Sequence, residues 1–127
     1  MDKIVIHNTR GRVSKGRTFD FSPLKNSFLF LPLEGELEEV HLTDLKALFF
    51  VRDFDGDPDY QDTDKFDENQ HYPPHRVEVT FNDGECIVGA TMTEAGDSGF
   101  FLFPADPKSN NLGIFCSAHF VKRIDKI

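Results

Sequence analysis

Four aspartates recur at alternate positions in Asp53-Phe54-Asp55-Gly56-Asp57-Pro58-Asp59. Alternate carboxylates in an irregular loop can turn several oxygens toward one hard cation, Ca²⁺ or Mg²⁺. Asp53, Asp55, Asp57 and Asp59 are therefore the candidate metal ligands. The stretch departs from the twelve-residue calcium loop set between two helices. Its sixth position is Pro58, where that loop turns on Gly, and its twelfth is Asp64, shorter than the usual bidentate Glu. The competing reading is a solvated acidic loop. A second cluster is basic: Arg10, Arg12 and Arg17, followed by Asp20 and Ser22. Guanidinium forks hold phosphates and guanine edges bidentately, which makes these five residues the candidate ligand-binding set. Here the competing reading is an exposed basic strand followed by a polar turn. His71 and His75 are four apart, but Pro73 and Pro74 between them forbid the helix that would bring them together. Cys86 follows a turn and Cys116 falls on an apolar strand, where thiols behave as small hydrophobes. Ser98 and Ser117 lack a G-x-S-x-G elbow, and no phosphate-cradling glycine loop is present. The chain is not expected to be an enzyme.

What must position these groups is a chain of 127 residues, enough for one ordinary domain or two very small ones. Fourteen phenylalanines against two tyrosines and no tryptophan supply a large apolar core. The net charge of −8 is segregated: residues 53–75 hold one Lys and eight acids, while 1–52 and 76–127 are nearly balanced. A chain this acidic is a poor non-specific binder of nucleic acid or anionic membrane. No apolar run approaches the roughly 18 residues of a membrane span, and two cysteines are too few for a disulfide framework. The expected location is cytoplasmic.

The flanks of the acidic segment look like two copies of one unit. With Gly11 set over Gly84, Ile4 falls on Val77, Ile6 on Val79, Gly16 on Gly89 and Thr18 on Thr91. After a one-residue gap, Ser27-Phe-Leu-Phe-Leu-Pro32 falls on Gly99-Phe-Phe-Leu-Phe-Pro104. Each copy alternates apolar and polar residues, the period of a half-buried strand. The pattern predicts strands at 3–8, 12–20, 27–32, 38–42 and 46–52, then at 76–81, 85–92, 99–104, 112–116 and 119–124. One helical turn is expected near Leu42–Leu45. Asn82-Asp83-Gly84 is a hairpin signal, and Gly16 and Gly89 inside strands mark sharp bends. Phe49-Phe50 and Phe100-Phe101 put one ring on each face of a strand, so the second ring of each pair needs a cover. The two copies packed together would supply it, as would a second chain.

The fold expected is all-β: a tandem of two small five-stranded barrel-like units, 1–52 and 76–127, joined by an acidic linker at 53–75. The alternative is one continuous sandwich or barrel that shares strands between the copies. The strand–Gly–strand phrase resembles the first two strands of Sm-like barrels. Over most of its length, through VSKGRTFDFSP, SFLFLP, DLKALFFVRDFDGDPDY and FFLFPADPKSNNL, the chain resembles an uncharacterised bacterial family whose domain occurs beside PilZ domains. That resemblance implies a signalling or regulatory neighbourhood. PilZ domains bind cyclic di-GMP through RxxxR and D/N-x-S-x-x-G motifs. Here Arg10, Arg12 and Arg17 lack the four-residue spacing, and Asp20-Phe21-Ser22 is followed by Lys25 in place of the final Gly. The function expected is a non-catalytic regulatory or protein-interaction module, with a protein partner or a homodimer. The alternative is a binding module for cyclic di-GMP or a divalent cation.

Overall fold

The computed structural model describes residues 1–92 and 97–127. The described chain is all-β, with ten strands and two short 3₁₀ turns. The strands are β1 (Asp2–Asn8), β2 (Val13–Thr18), β3 (Ser27–Pro32), β4 (Glu38–His41) and β5 (Leu45–Val51), then β6 (His75–Phe81), β7 (Cys86–Thr91), β8 (Gly99–Pro104), β9 (Asn111–Ser117) and β10 (Val121–Lys126). The turns, Leu42–Asp44 and Ala118–Phe120, precede the fifth strand of each copy.

The duplication extends to hydrogen-bond detail. At the first hairpin Asn8 N–H donates to Arg12 O at 3.0 Å and Gly11 N–H to Asn8 O at 3.2 Å; at the second Phe81 N–H donates to Glu85 O at 2.8 Å and Gly84 N–H to Phe81 O at 2.9 Å. Both turn glycines have positive φ, +87° and +92°. Glycine adopts that conformation without strain.

The strands form one antiparallel sheet in the order β10-β6-β7-β8-β9-β5-β1-β2-β3-β4. Two separate barrel-like units therefore give way to a shared sheet that does not close into a barrel. Each copy has the same internal order: fifth strand, first, second, third, fourth. The fourth strand of the second copy (β9) pairs with the fifth strand of the first (β5), from Ala47 opposite Cys116 to Phe50 opposite Gly113. The copies thus join head to tail, and among the described residues β4 and β10 form the two edges of the sheet.

The phenylalanine pairs acquire their covers through this joint. One core gathers Val77, Val79, Phe81, Phe100, Leu102, Ile114 and Cys116 with Val5, Ala47, Phe49 and Val51 from the first copy. The other gathers Ile4, Ile6, Phe28, Phe30, Leu42, Leu45 and Leu48 with Phe115 from the second copy, packed by Phe50 and Phe101. Phe49 and Phe50 therefore enter different cores, as do Phe100 and Phe101. Phe101 lies 6.3 Å from Phe50 and 5.4 Å from Phe115, centroid to centroid, with Phe21 edge-on to all three.

Gly16 and Gly89 allow the sheet to fold over within each copy. A Cβ on Gly16 would lie 2.2 Å from Leu31 O and 2.7 Å from the Phe30 ring, and one on Gly89 would lie 2.4 Å from Phe103 O. Backbone and packed rings cannot give way that far. Gly16→Ala and Gly89→Ala are each expected to cost about 3 kcal/mol, the upper range for overpacking. Gly11→Asn, which meets nothing within 4 Å, is expected to cost under about 1 kcal/mol, because Asn tolerates positive φ. Urea unfolding midpoints of the three variants check this; equal losses would contradict it.

Candidate functional site

The structure separates the five residues of the basic set. Arg12 precedes β2 and Arg17 is near its far end, about 17 Å along an extended strand. Arg17 lies 5.5 Å over the Phe54 ring and donates to Met1 O at 3.4 Å. Arg10 and Arg12 flank the β1–β2 turn, their amides donating to Asn8 Oδ1 at 2.9 Å each. Asp20 and Ser22 shape the loop that follows: Asp20 Oδ1 accepts from Leu29 N–H at 2.9 Å, and Ser22 Oγ from Leu24 N–H at 3.2 Å.

The alternating aspartates are likewise not gathered. Among the described residues no group of three or more His, Cys, Asp or Glu side chains is placed to hold a metal ion. Asp55 turns to Lys15 at 3.3 Å, and Asp57 Oδ1 accepts from Asp59 N–H at 3.0 Å. Asp53 meets Asn110, which accepts from its N–H at 3.1 Å and donates to its carbonyl at 2.8 Å. A cavity of about 510 Å³ beside them already contains Arg52 and Lys108. Farther along, the acidic segment is tied to residues 105–109. Tyr60 Oη donates to Asp106 Oδ2, which also accepts from Thr63 N–H at 3.0 Å. Ser109 Oγ donates to Asp62 at 2.6 Å, and Tyr72 Oη to Ala105 O at 2.6 Å. The bond to Asp106 pushes the Tyr60 phenol up to about 12.

Two polar clusters escape the sequence pattern. Ser117 Oγ lies 3.0 Å from His119 Nδ1, but Ser117 is fully buried and also reaches Leu42 O at 3.4 Å, so no substrate can approach its hydroxyl. Cys116 beside it is buried, and burial pushes its thiol above the ordinary range. Lys46 is the second case. It is 5% exposed on β5, yet its ammonium donates to Asp83 at 2.6 Å and to Glu85 at 2.7 Å. It also lies 5.0 Å over the Phe81 ring. This ion cluster pins the second copy's hairpin across the joint. No signal in the sequence marks Lys46 as buried, because its partners are distant in the chain.

The two edges of the sheet among the described residues, β4 and β10, differ from the joint inside the chain. In register, Glu38, Glu39 and Val40 of β4 stand where Ile114, Phe115 and Cys116 stand in β9. Arg123, Asp125 and Lys126 of β10 stand where Ala47, Phe49 and Phe50 stand in β5. The apolar joint inside the chain is thus replaced by charge at its ends. Residues 34–44 hold five acids and no Lys or Arg; residues 121–127 hold three basic side chains and one acid. Beside β4 a cavity of about 170 Å³ is lined by Ile6, Phe30 and Val40 together with Arg12, Glu38 and Asp44. The corresponding end of the second core is covered by Ala47 and Phe49.

A model of a family of unknown function, DUF6982, matches residues 1–127. The chain belongs to the DUF6982 family. No curated protein and no solved structure matches it. The family match thus brings no ligand or activity to this DUF6982 chain, and its edges must be read from their own chemistry. No helix among the described residues is long and apolar enough to cross a membrane.

The Lys46 cluster sets a pH response. Burial works against the Lys46 ammonium, but its bonds to Asp83 and Glu85 prevail and raise it above its usual value. The bond from Lys46 holds the Asp83 carboxyl below its usual value. Burial lowers the His7 imidazole, against the pull of Glu85 and with help from Lys46. The Asp83 contribution is present above the ordinary carboxylate range near 4 and is lost as pH falls through its lowered pKa; that of Lys46 persists to the top of the lysine range, near 10. A lowered histidine makes stability fall as pH drops below about 6.5. His7→Gln is expected to flatten the unfolding midpoint between pH 7 and 5. Lys46→Met is expected to cost about 1–2 kcal/mol at pH 7, because both acids keep nearly half their side chains in water and can rehydrate. Urea midpoints across pH measure both; an unchanged slope in His7→Gln would contradict the assignment.

Proposed function

We propose that this chain is a non-catalytic protein-interaction module whose β4 edge accepts an added strand carrying basic and apolar side chains. The observation that carries this is the difference between two equivalent ends. The fourth strand of the second copy is paired by β5, and its core is covered by Ala47 and Phe49. Among the described residues the outer edge of the first copy's fourth strand has no partner strand, and its core end opens into a cavity lined by three acids, Glu38, Glu39 and Asp44, beside Arg12. A free sheet edge offers a row of backbone donors and acceptors to an incoming strand, and side-chain pockets beside it give specificity. Five acids over 34–44 repel a second acidic strand and favour a basic one.

A peptide of alternating lysine and valine tests this. It is expected to shift the backbone amide resonances of residues 36–44 and those of Ile6 and Phe30. A glutamate–valine peptide of equal length is expected to shift none. Shifts confined to the acidic segment 53–75, or none with either peptide, would overturn the proposal.

A further inference from the structure

Given β4 as a docking edge, we infer that its partner is β10 of a second copy of this chain, so that chains join head to tail by repeating the joint already present inside each one. The internal joint is heterologous: a fourth strand pairs with a fifth. A heterologous joint leaves the same two surfaces free at the ends, and these surfaces can meet again in another copy. Here the free ends are a fourth strand, β4, and a fifth strand, β10.

The internal register transfers to the outer edges through the repeat. Ala47 opposite Cys116 becomes Arg123 opposite Val40, and Leu48 opposite Phe115 becomes Ile124 opposite Glu39. Phe50 opposite Gly113 becomes Lys126 opposite Leu37. Glu39 then lies diagonal to Lys126, and Glu38 diagonal to Arg123; such neighbours interact within a sheet. Arg123 takes the place of Ala47, over the cavity at the open end of the first core, where Glu38, Glu39 and Asp44 outnumber Arg12. Leu37, Ile124 and Ile127, which are 52%, 38% and 65% exposed, fall along the same joint. The charge pattern also selects the pairing. Two β4 edges repel each other and two β10 edges repel each other, but β4 attracts β10.

Two contacts oppose the joint. Glu38 falls opposite Asp125, although Arg123 Nε already donates to Asp125 at 2.7 Å. Lys122 takes the place of Lys46, while Arg10 and Arg12 take the places of Asp83 and Glu85. The cluster that pins the internal joint is therefore repulsive at the outer one. The outer joint is weaker than the inner, reversible and sensitive to salt.

Light scattering on the full chain tests the inference. At low ionic strength the wild type is expected at masses of two or more chains, falling toward one chain at 1 M salt. E38K/E39K and R123E/K126E are each expected to remain single chains with an unchanged far-ultraviolet circular dichroism spectrum. Mixed in equal amounts, they are expected to assemble, because each then offers the edge the other lacks. K122E, which makes the contact with Arg10 and Arg12 attractive, is expected to tighten assembly, whereas simple attraction between a basic and an acidic strand would loosen it. A wild type that stays a single chain at every concentration, a mixture that fails to assemble, or a K122E variant that associates more weakly would each overturn the inference. If the wild type is a single chain while the lysine–valine peptide still docks on β4, only the self-pairing falls. If neither binds, the edge reading falls with it.

Discussion

The structure depends on β5 facing two ways. A strand presents alternate side chains to opposite faces, and β5 sits between β1 and β9 with an apolar residue on each side. Phe49 and Val51 complete one core, and Leu48 and Phe50 enter the other. Phe49 of the first copy and Phe115 of the second are each buried in the other copy's core. A fully buried Phe contributes about 1.5–3 kcal/mol relative to an exposed one. The aromatic residues at the β5–β9 joint are therefore enough to hold two small units in one sheet. The Lys46 cluster then fixes the hairpin of the second copy against that joint with two short charged hydrogen bonds.

The same architecture sets a constraint at the ends. A duplicated unit that joins through unlike strands cannot close on itself with only two copies, unless the sheet curls fully round. Here it does not: β4 and β10 remain at opposite ends of the order. Natural sheets blunt such edges with charge. This chain does so with acids on one edge and bases on the other, which prevents like edges from meeting and leaves unlike edges compatible.

Much of this was legible in the sequence. The ten strands fall within a residue or two of where alternation and turn signals place them; buried residues fix the pattern in eight of them, while β4 and β10 bury none. Gly11 and Gly84 announced the hairpins, and Gly16 and Gly89 the close approaches behind them. The phenylalanine pairs signalled that each copy needed a cover. Strand partners were less legible. Periodicity places a residue on a face, but says nothing about which edge lies beside which, so the β5–β9 joint stayed hidden and separate units and a shared sheet system both stayed open. The aspartate ladder of 53–59 suggested a cation site, yet the Asp55 carboxylate turns to Lys15, that of Asp57 accepts a backbone amide, and Asp53 is held to Asn110 through its backbone. Arg10, Arg12 and Arg17 are close in sequence, but Arg10 and Arg12 sit at the β1–β2 turn while β2 carries Arg17 away from them. Nothing in the sequence marks Lys46 as buried, because its acids are 37 and 39 positions away.

Amide hydrogen exchange of the full chain at several protein concentrations tests the central claim most directly, because it reads both edges at once in the unmodified protein. If β4 and β10 pair between copies, exchange in residues 38–41 and 121–126 slows together as concentration rises, while β2 and β7 exchange at constant rates. Exchange at β4 and β10 that is independent of concentration, or protection of one edge without the other, would contradict the account.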